Sequence, residues 1–169
     1  MARVLIVDDD SAFADGLAET IRSLGHDTMV CGSAAMARAA ASSVQPNLVF
    51  LDLRLGTENG LALLAKWQES ETLRQAPIVI LTAFASADNT IEAMKLGAFD
   101  HLTKPVGRVQ IEEVLSRALN RPLSAEPNLD RASDEKETNT FVGASSAMRE
   151  VQKLVGLAAV SDASVLITG

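Results

Sequence analysis

The chain of 169 residues lacks the features that mark secreted and membrane proteins. It has a single cysteine, Cys31, so no disulfide can form within the chain and a disulfide-stapled secreted fold is excluded. No apolar run approaches the roughly 18 residues that a membrane-spanning helix needs. The apolar segment near the N-terminus, Val4–Val7, is too short for a signal peptide. These absences predict a soluble cytoplasmic protein that does not bind a membrane.

The chain also lacks an excess of positive charge. It carries 15 Lys and Arg residues against 22 Asp and Glu residues, which gives a net charge of −7. An acidic chain without a basic stripe binds nucleic acid poorly, so a module that reads DNA by itself is excluded. Hydrophobic residues make up 47% of the chain, enough for a buried core. The length fits one full domain and a remainder.

Short apolar runs alternate five times with stretches of helical periodicity. Runs without a two-residue alternation are typical of strands that are buried on both faces of a parallel sheet. They are Val4–Val7, Thr28–Cys31, Leu48–Leu51, Ile78–Leu81 and Phe99–Leu102. Five strand–helix repeats predict a doubly wound α/β domain over about residues 1–121. Right-handed crossovers would place its helices on both faces of the sheet.

The composition changes after Arg121. The segment Pro122–Thr140 is rich in charge and contains two prolines, which predicts a linker. Apolar residues then return at helical spacing from Met148 to Val155, and a strand-like run, Val165–Ile167, precedes the last two residues. A strand without a sheet cannot bury itself, so residues 141–169 are predicted to be the truncated start of a second domain. An amphipathic helix that merely extends the first domain is the alternative.

Polar side chains follow the carboxyl ends of four of the five predicted strands. They are Asp8–Asp10, Asp52, Thr82 and Lys104. Ligands of open α/β sheets bind at this edge, so we expect these side chains to converge there. Clustered carboxylates repel one another unless a cation joins them, and Mg²⁺ is the hard divalent ion that suits oxygen ligands. With Thr82 and Lys104 to stabilise phosphoryl oxygens, the pattern predicts phosphoryl transfer to a carboxylate.

Each of these residues, taken alone, also has an ordinary explanation. Asp8–Asp10, Asp52 and Thr82 could cap helices, and Lys104 could be a solvated surface lysine. All of these explanations would have to hold independently at four strand ends in the right order. The combined pattern therefore favours a functional site.

Five segments together resemble the receiver domain of a two-component response regulator. They are Val4–Asp10, Leu51–Asp52, Leu81–Ala83, Ala93–Asp100 and Lys104–Pro105, in that order along residues 3–120. The resemblance implies a flavodoxin-like sheet with the strand order 2-1-3-4-5. It also implies a cis peptide bond between Lys104 and Pro105.

The resemblance assigns a role to each acidic residue of the site. Asp52 would accept a phosphoryl group from the phosphohistidine of a sensor histidine kinase. Asp8, Asp9 and Asp52 would hold Mg²⁺, and the backbone carbonyl of Arg54 would supply a further ligand. The chain would then be a phosphoacceptor switch rather than an enzyme.

The remaining site residues would contact the phosphoryl group or respond to it. By the same resemblance, Thr82 would hydrogen-bond the group and move toward it, and Lys104 would pair with one of its oxygens. His101 stands where the family places an aromatic switch residue. Its imidazole could rotate inward behind Thr82 with a pH-dependent charge, or it could be a half-exposed histidine without a role. A further departure, Gly56, would make the loop after Asp52 more mobile.

The end of the chain resembles the opening of the AAA+ ATPase domain of NtrC-type, sigma-54-dependent activators. The matching segments are Phe141–Met148 and Val165–Gly169, with Gly169 as the first glycine of a phosphate-binding loop. The resemblance implies a parent activator that is controlled by a receiver homodimer. Its RNA polymerase sigma-54 holoenzyme and DNA would be contacted only through regions missing here.

Two other functions are compatible with parts of the pattern. A stand-alone receiver that acts by protein contacts only would fold residues 141–169 onto the first domain. A haloacid-dehalogenase-like phosphatase would use Asp8 as nucleophile and Asp10 as acid and base. That family, however, needs another acidic pair at the end of a strand after the lysine, and no such pair follows Lys104. A phosphatase of this kind would also leave Asp52 without a role.

Overall fold

The computed structural model describes residues 1–70, 73, 75–83, 87–120 and 146–160. Its strands are β1 (Arg3–Val7), β2 (Asp27–Cys31), β3 (Leu48–Asp52), β4 (Arg54–Leu55), β5 (Glu58–Asn59), β6 (Ile78–Thr82) and β7 (Asp100–Thr103). Its helices are α1 (Ser11–Ser23), α2 (Ala34–Val44), α3 (Gly60–Gln68), α4 (Ala87–Lys95), α5 (Arg108–Leu119) and α6 (Ser146–Ala158). The predicted linker and the strand-like run Val165–Ile167 lie outside these residues.

Five of the strands form one parallel sheet in the order β2-β1-β3-β6-β7. The five apolar runs of the sequence correspond to these strands, with shifts of one residue at most at either end. The predicted doubly wound fold and its strand order are confirmed. The strand β2 lies on one side of β1, and the later strands are added on the other side. The order of the strands therefore switches between β1 and β3, whose carboxyl ends lie next to each other at one edge of the sheet.

Two hydrophobic cores lie on the two faces of the sheet. Residues of α2, α3 and α4 pack on one face, around Val49 and Ile80. Residues of α1 and α5 pack on the other, around Phe50 and Leu81. The inner strands are buried on both faces, which explains why their sequences show no alternation.

Three helices begin at side chains that cap their first turn. Asp10 accepts a hydrogen bond from the Phe13 amide at the start of α1, and Ser33 accepts one from Met36 at the start of α2. Asn59 does the same for the Leu61 amide and so begins α3 directly after the short strand β5. These caps satisfy amides that the first turn of a helix leaves without a partner. They also fix where each helix begins at the carboxyl edge of the sheet.

The helix expected from the spacing of Met148 to Val155 is present as α6. It packs against α4, and Lys153 of α6 forms an ion pair with Asp100 of β7. The surface formed by α4 and β7 is therefore partly covered by the chain itself. No helix among the described residues is long and apolar enough to cross a membrane.

Candidate functional site

The carboxyl edge of the sheet brings together the polar side chains predicted from the strand ends. The ammonium group of Lys104 lies 2.5 Å from Asp8 Oδ2 and 2.6 Å from Asp52 Oδ2. The Asp8 side chain is fully buried, while those of Asp52 and Lys104 keep about a tenth of their surface exposed, 9% and 11%. Lys104 is thus a bridge between two carboxylates and not a solvated surface lysine.

Asp9 completes a cluster of three carboxylates. One oxygen from each of Asp8, Asp9 and Asp52 lies within 4.8 Å of the other two. With Lys104 as the neighbouring cation, the ionised cluster has a residual charge of −2. Three oxygen donors at this spacing, one of them on an exposed side chain, fit a Mg²⁺ ion that keeps several waters. Bound there, Mg²⁺ would offset negative charge between the carboxylates and an incoming phosphoryl group.

Backbone amides orient each carboxylate of the cluster. Asp8 Oδ1 accepts a hydrogen bond of 3.0 Å from the amide of Asp10, and Asp52 Oδ1 accepts one of 3.1 Å from Arg54. Asp9 Oδ2 accepts one of 2.9 Å from Gly56. Asp10 is occupied as the cap of α1, so only two of the three consecutive aspartates belong to the cluster. The backbone carbonyl of Arg54 stays a predicted ligand.

Burial and the contact between Asp8 and Lys104 act together on the ionisation of both residues. Burial raises the pKa of Asp8 above its ordinary value, although the Lys104 ammonium and the Asp10 amide both act in the opposite direction. Burial alone would lower the pKa of Lys104, but its hydrogen bonds to Asp52 and Asp8 raise it. Lys104 therefore stays charged at neutral pH, and Asp8 holds a proton more readily than an isolated carboxyl group.

Thr82 ends β6 beside the cluster and is 2% exposed. Its carbonyl oxygen accepts a 2.8 Å hydrogen bond from the Lys104 amide, which ties the end of β6 to the residue after β7. His101 lies on β7, paired in register with Ile80, two residues before Thr82 along β6. It is only 3% exposed, so the half-exposed position considered above is wrong, while its role as a switch residue stays a prediction.

A hairpin beside Asp52 was not predicted. The strands β4 and β5 pair antiparallel directly after β3, and Gly56 takes a positive φ of 61° at the turn. We expected a mobile loop at this position. Instead, two short strands pair, and the Gly56 amide donates a hydrogen bond to the Asp9 carboxylate. The hairpin and Thr82 border an open cavity of about 260 Å³.

Gly60 is a second residue of the site that sequence reasoning missed. A Cβ on Gly60 would overlap the Asp52 carbonyl oxygen and lie 2.8 Å from Leu53 Cα. Its amide donates a 2.8 Å hydrogen bond to the Leu53 carbonyl. The absence of a side chain lets the first residue of α3 rest on the backbone of the phosphoacceptor candidate. The signal in the sequence was the pair Asn59-Gly60, directly before the helical pattern of α3.

Two further features of Lys104 are its peptide bond to Pro105 and its contact with an aromatic ring. The Lys104–Pro105 peptide bond is cis, as the resemblance implied. The ammonium group also lies 4.4 Å from the centre of the Phe13 ring, within the range of a cation–π interaction. The ring of Phe13 in α1 is thus a further contact of the Lys104 ammonium group.

The fold and the site define a class of protein: a doubly wound α/β domain with an acidic cluster and a lysine at the carboxyl edge. The family model for the response regulator receiver domain matches residues 4–116. The chain therefore belongs to the response regulator receiver family.

Relatives of known name match the chain over almost its whole length. The transcriptional regulatory protein ZraR of Salmonella typhimurium is 34% identical over 98% of this chain. The alginate biosynthesis transcriptional regulatory protein AlgB of Pseudomonas aeruginosa is 34% identical over 99% of it. In both cases the chain spans only 37% of the relative's length.

Solved structures agree with the fold. The receiver domain of NtrX from Brucella abortus is 30% identical, with a TM-score of 0.66, over 70% of this chain and 99% of that one. The chemotaxis response regulator CheY4 of Vibrio cholerae has a TM-score of 0.66 at 24% identity, which bears on the fold alone.

Proposed function

We propose that the chain is a receiver that accepts a phosphoryl group on Asp52 from the phosphohistidine of a sensor histidine kinase. The observation that carries this proposal is the position of Asp52. Its carboxylate lies within the acidic cluster, 2.6 Å from the Lys104 ammonium and beside the exposed side chain of Asp9. A carboxylate with a metal site and a fixed cation beside it is equipped to attack phosphorus.

The transfer exchanges one bond to phosphorus for another. An Asp52 carboxylate oxygen forms the new P–O bond, and the P–N bond to the donor's imidazole breaks. The imidazole leaves with the electron pair and takes up a proton. Both Asp52 oxygens are engaged beforehand, Oδ1 by the Arg54 amide and Oδ2 by Lys104. Lys104 therefore has to release Oδ2 or follow the new phosphoryl oxygens, where its charge offsets theirs.

The phosphoryl group then acts as a switch. Thr82, at the end of β6, is drawn toward the new oxygens, and His101 on β7 adjusts behind it. Both side chains are buried, so a shift of one strand end is transmitted to the neighbouring strand rather than lost in solvent. The face formed by α4 and β7 changes shape, and with it the dimerisation of the chain.

The segment that follows the receiver supports the proposal that this chain is part of a larger protein. The alignments to ZraR and AlgB include the segment after the receiver, and this chain covers little more than a third of those relatives. We therefore divide the chain into a receiver (1–121), a linker (122–140) and the start of an AAA+ domain (141–169). Phosphorylation in the cytoplasm would control a sigma-54-dependent activator, whose polymerase and DNA contacts lie in regions outside this chain.

A stand-alone receiver is the second candidate, and one observation favours it. The helix α6 packs on the first domain through α4 and the Lys153–Asp100 ion pair, as that candidate requires. Limited proteolysis tests the second candidate. Rapid loss of the tail back to about Arg121 would exclude the stand-alone receiver, whereas a resistant tail would show only that α6 is docked, which both candidates allow.

The proposed function is tested by the intact mass of the protein after incubation with acetyl phosphate and Mg²⁺. We expect one added phosphoryl group on the wild-type chain, none on Asp52→Asn, and none on the wild type when a chelator removes Mg²⁺. The Asp10→Asn variant is the matched control, since its side chain is outside the cluster, and it should still be phosphorylated. An adduct that persists in Asp52→Asn would contradict the proposal.

A further inference from the structure

The helix α6 touches α4 at a point where only glycine fits. A Cβ on Gly156 would lie 2.6 Å from Met94 Cβ and 3.0 Å from the Ile91 carbonyl oxygen. The backbone of α6 therefore rests directly on α4. The two helices cannot approach each other more closely at this point. The contact is therefore sensitive to small displacements of either helix.

A buried ion pair holds the same helix to the last strand of the sheet. Lys153 Nζ lies 2.5 Å from Asp100 Oδ1, and the two side chains are 14% and 3% exposed. Asp100 also pairs with Arg117 of α5, and Lys153 with Glu150 one turn earlier in α6. Buried charges are costly unless they are paired, so Asp100 favours a docked helix that presents a cation at this position.

The two elements that α6 touches flank the site. The helix α4 follows β6, which ends at Thr82, and β7 carries Asp100 and leads directly to Lys104. By contacting both elements, α6 holds α4 and β7 in the arrangement that the structure shows. A ligand that binds one arrangement of a protein stabilises that arrangement against any other.

We infer that α6 is a docked regulatory helix whose binding to the α4–β7 surface and the phosphorylation of Asp52 oppose each other. This inference rests on the proposed function. When Thr82 and Lys104 move to the phosphoryl group, α4 and β7 shift relative to one another, and the contacts of Gly156 and Lys153 no longer fit together. Linkage makes the effect reciprocal, so the docked helix also disfavours the phosphorylated state.

The docking itself is tested in the full chain by amide hydrogen exchange of residues 146–160. Gly156→Ala raises the helical propensity of α6 but inserts a methyl group against Met94, so exchange in α6 should become roughly tenfold faster or more. Gly16→Ala is the matched control: it lies in the interior of α1, where a Cβ meets nothing within 4 Å. We expect no faster exchange in α1 for that variant.

A second pair of variants separates the ion pair from the rest of the helix. Lys153→Gln removes the cation that faces Asp100 and should also speed exchange in α6. Its neighbour Leu154 is 64% exposed, so Leu154→Gln should leave the exchange of α6 unchanged. Unchanged exchange in both Gly156→Ala and Lys153→Gln would overturn the docking.

The antagonism is tested by repeating the exchange measurement after acetyl phosphate and Mg²⁺, with the adduct followed by intact mass. We expect faster exchange in α6 in the phosphorylated chain, no change in Asp52→Asn, and faster adduct formation in Gly156→Ala than in the wild type. An adduct without any change in α6 would overturn the inference and leave the proposed function standing. The absence of an adduct would overturn both.

Discussion

Asp8 is a single residue whose ionisation opposes folding. Burial raises its pKa, so the folded chain binds the proton of Asp8 more tightly than the unfolded chain does. The free energy of unfolding should therefore fall as the pH rises from the ordinary pKa of an aspartate toward the raised value. Above that interval the cost is complete and stays constant.

The first prediction follows from this sign. Asp8→Asn cannot ionise, so in the presence of a chelator it should gain stability relative to the wild type as the pH rises through that interval. Urea unfolding at a series of pH values measures the difference between the two proteins. A difference that is independent of pH across this range would contradict the assignment of the raised pKa to Asp8.

The second prediction separates two neighbouring aspartates. Asp9 belongs to the acidic cluster, whereas Asp10 caps α1. Mg²⁺ that binds only the folded state raises the melting temperature, and Asp9→Ala should abolish that rise. Asp10→Ala should lose about 1 kcal/mol from the missing cap but keep the full Mg²⁺-dependent rise. Equal Mg²⁺ responses in the two variants, measured by thermal unfolding, would argue against this cluster as the metal site.

The positions of most site residues could be predicted because each follows a buried strand directly. Asp52, Thr82 and Lys104 inherit their positions from β3, β6 and β7, and parallel strands end at the same edge. The bond between Asp9 and Gly56 could not be predicted, because it joins residues distant in sequence through a turn without a hydrophobic pattern. The burial of His101 was left open for a similar reason, since it depends on what packs on β7.

At the scale of secondary structure elements, the start of α3 determines how the site is supported. Gly60, the first residue of α3, rests on the carbonyl group of Asp52 at the end of β3. The side chain of Asn59 caps the same turn, so the helix begins at a fixed distance from the strand. The position of Asp52 is therefore determined by both elements.

The third prediction tests this contact between elements. Gly60→Ala should lower the free energy of unfolding by about 1–3 kcal/mol, the usual cost of overpacking. Gly16→Ala, in an open position of α1, should instead be neutral or stabilising by up to about 1 kcal/mol, because alanine favours the helix. Urea unfolding compares the two. A Gly60→Ala variant as stable as Gly16→Ala would contradict a tight contact between Gly60 and the backbone of Asp52.

The strands and helices with strong apolar patterns could be predicted, and the short or docked elements could not. The inner strands are continuous runs of Val, Ile, Leu and Phe, because both of their faces are buried. The strands β4 and β5 have two residues each and carry no such run. The spacing in the tail indicated α6, but its docking depends on Gly156 and on a salt bridge to Asp100, neither of which is visible as a local pattern.

At the scale of the whole molecule, the proposed switch makes the docked helix and dimerisation compete for one surface. In the unmodified chain α6 covers part of the face formed by α4 and β7. If phosphorylation releases α6, that face becomes available to a second copy of the chain. The conformational switch inside the domain and the change of assembly then have the same cause.

The fourth prediction follows from this competition. Gly156→Ala, which weakens the docking of α6, should self-associate more tightly than the wild type even without a phosphodonor. Sedimentation velocity over a range of concentrations measures the dissociation constants, with Gly16→Ala as the control for the substitution itself. Identical self-association of the wild type and Gly156→Ala would separate dimerisation from the docking of α6.

The central claim is that Asp52 is the residue that takes the phosphoryl group, and locating the modification tests it most directly. Borohydride reduces an acyl phosphate to an alcohol and so converts a phosphorylated aspartate into homoserine. After acetyl phosphate, Mg²⁺ and borohydride, peptide mass analysis should find homoserine at position 52 and aspartate at positions 8, 9 and 10. Homoserine at position 8 instead would contradict the account and restore Asp8 as the nucleophile of a phosphatase-like site.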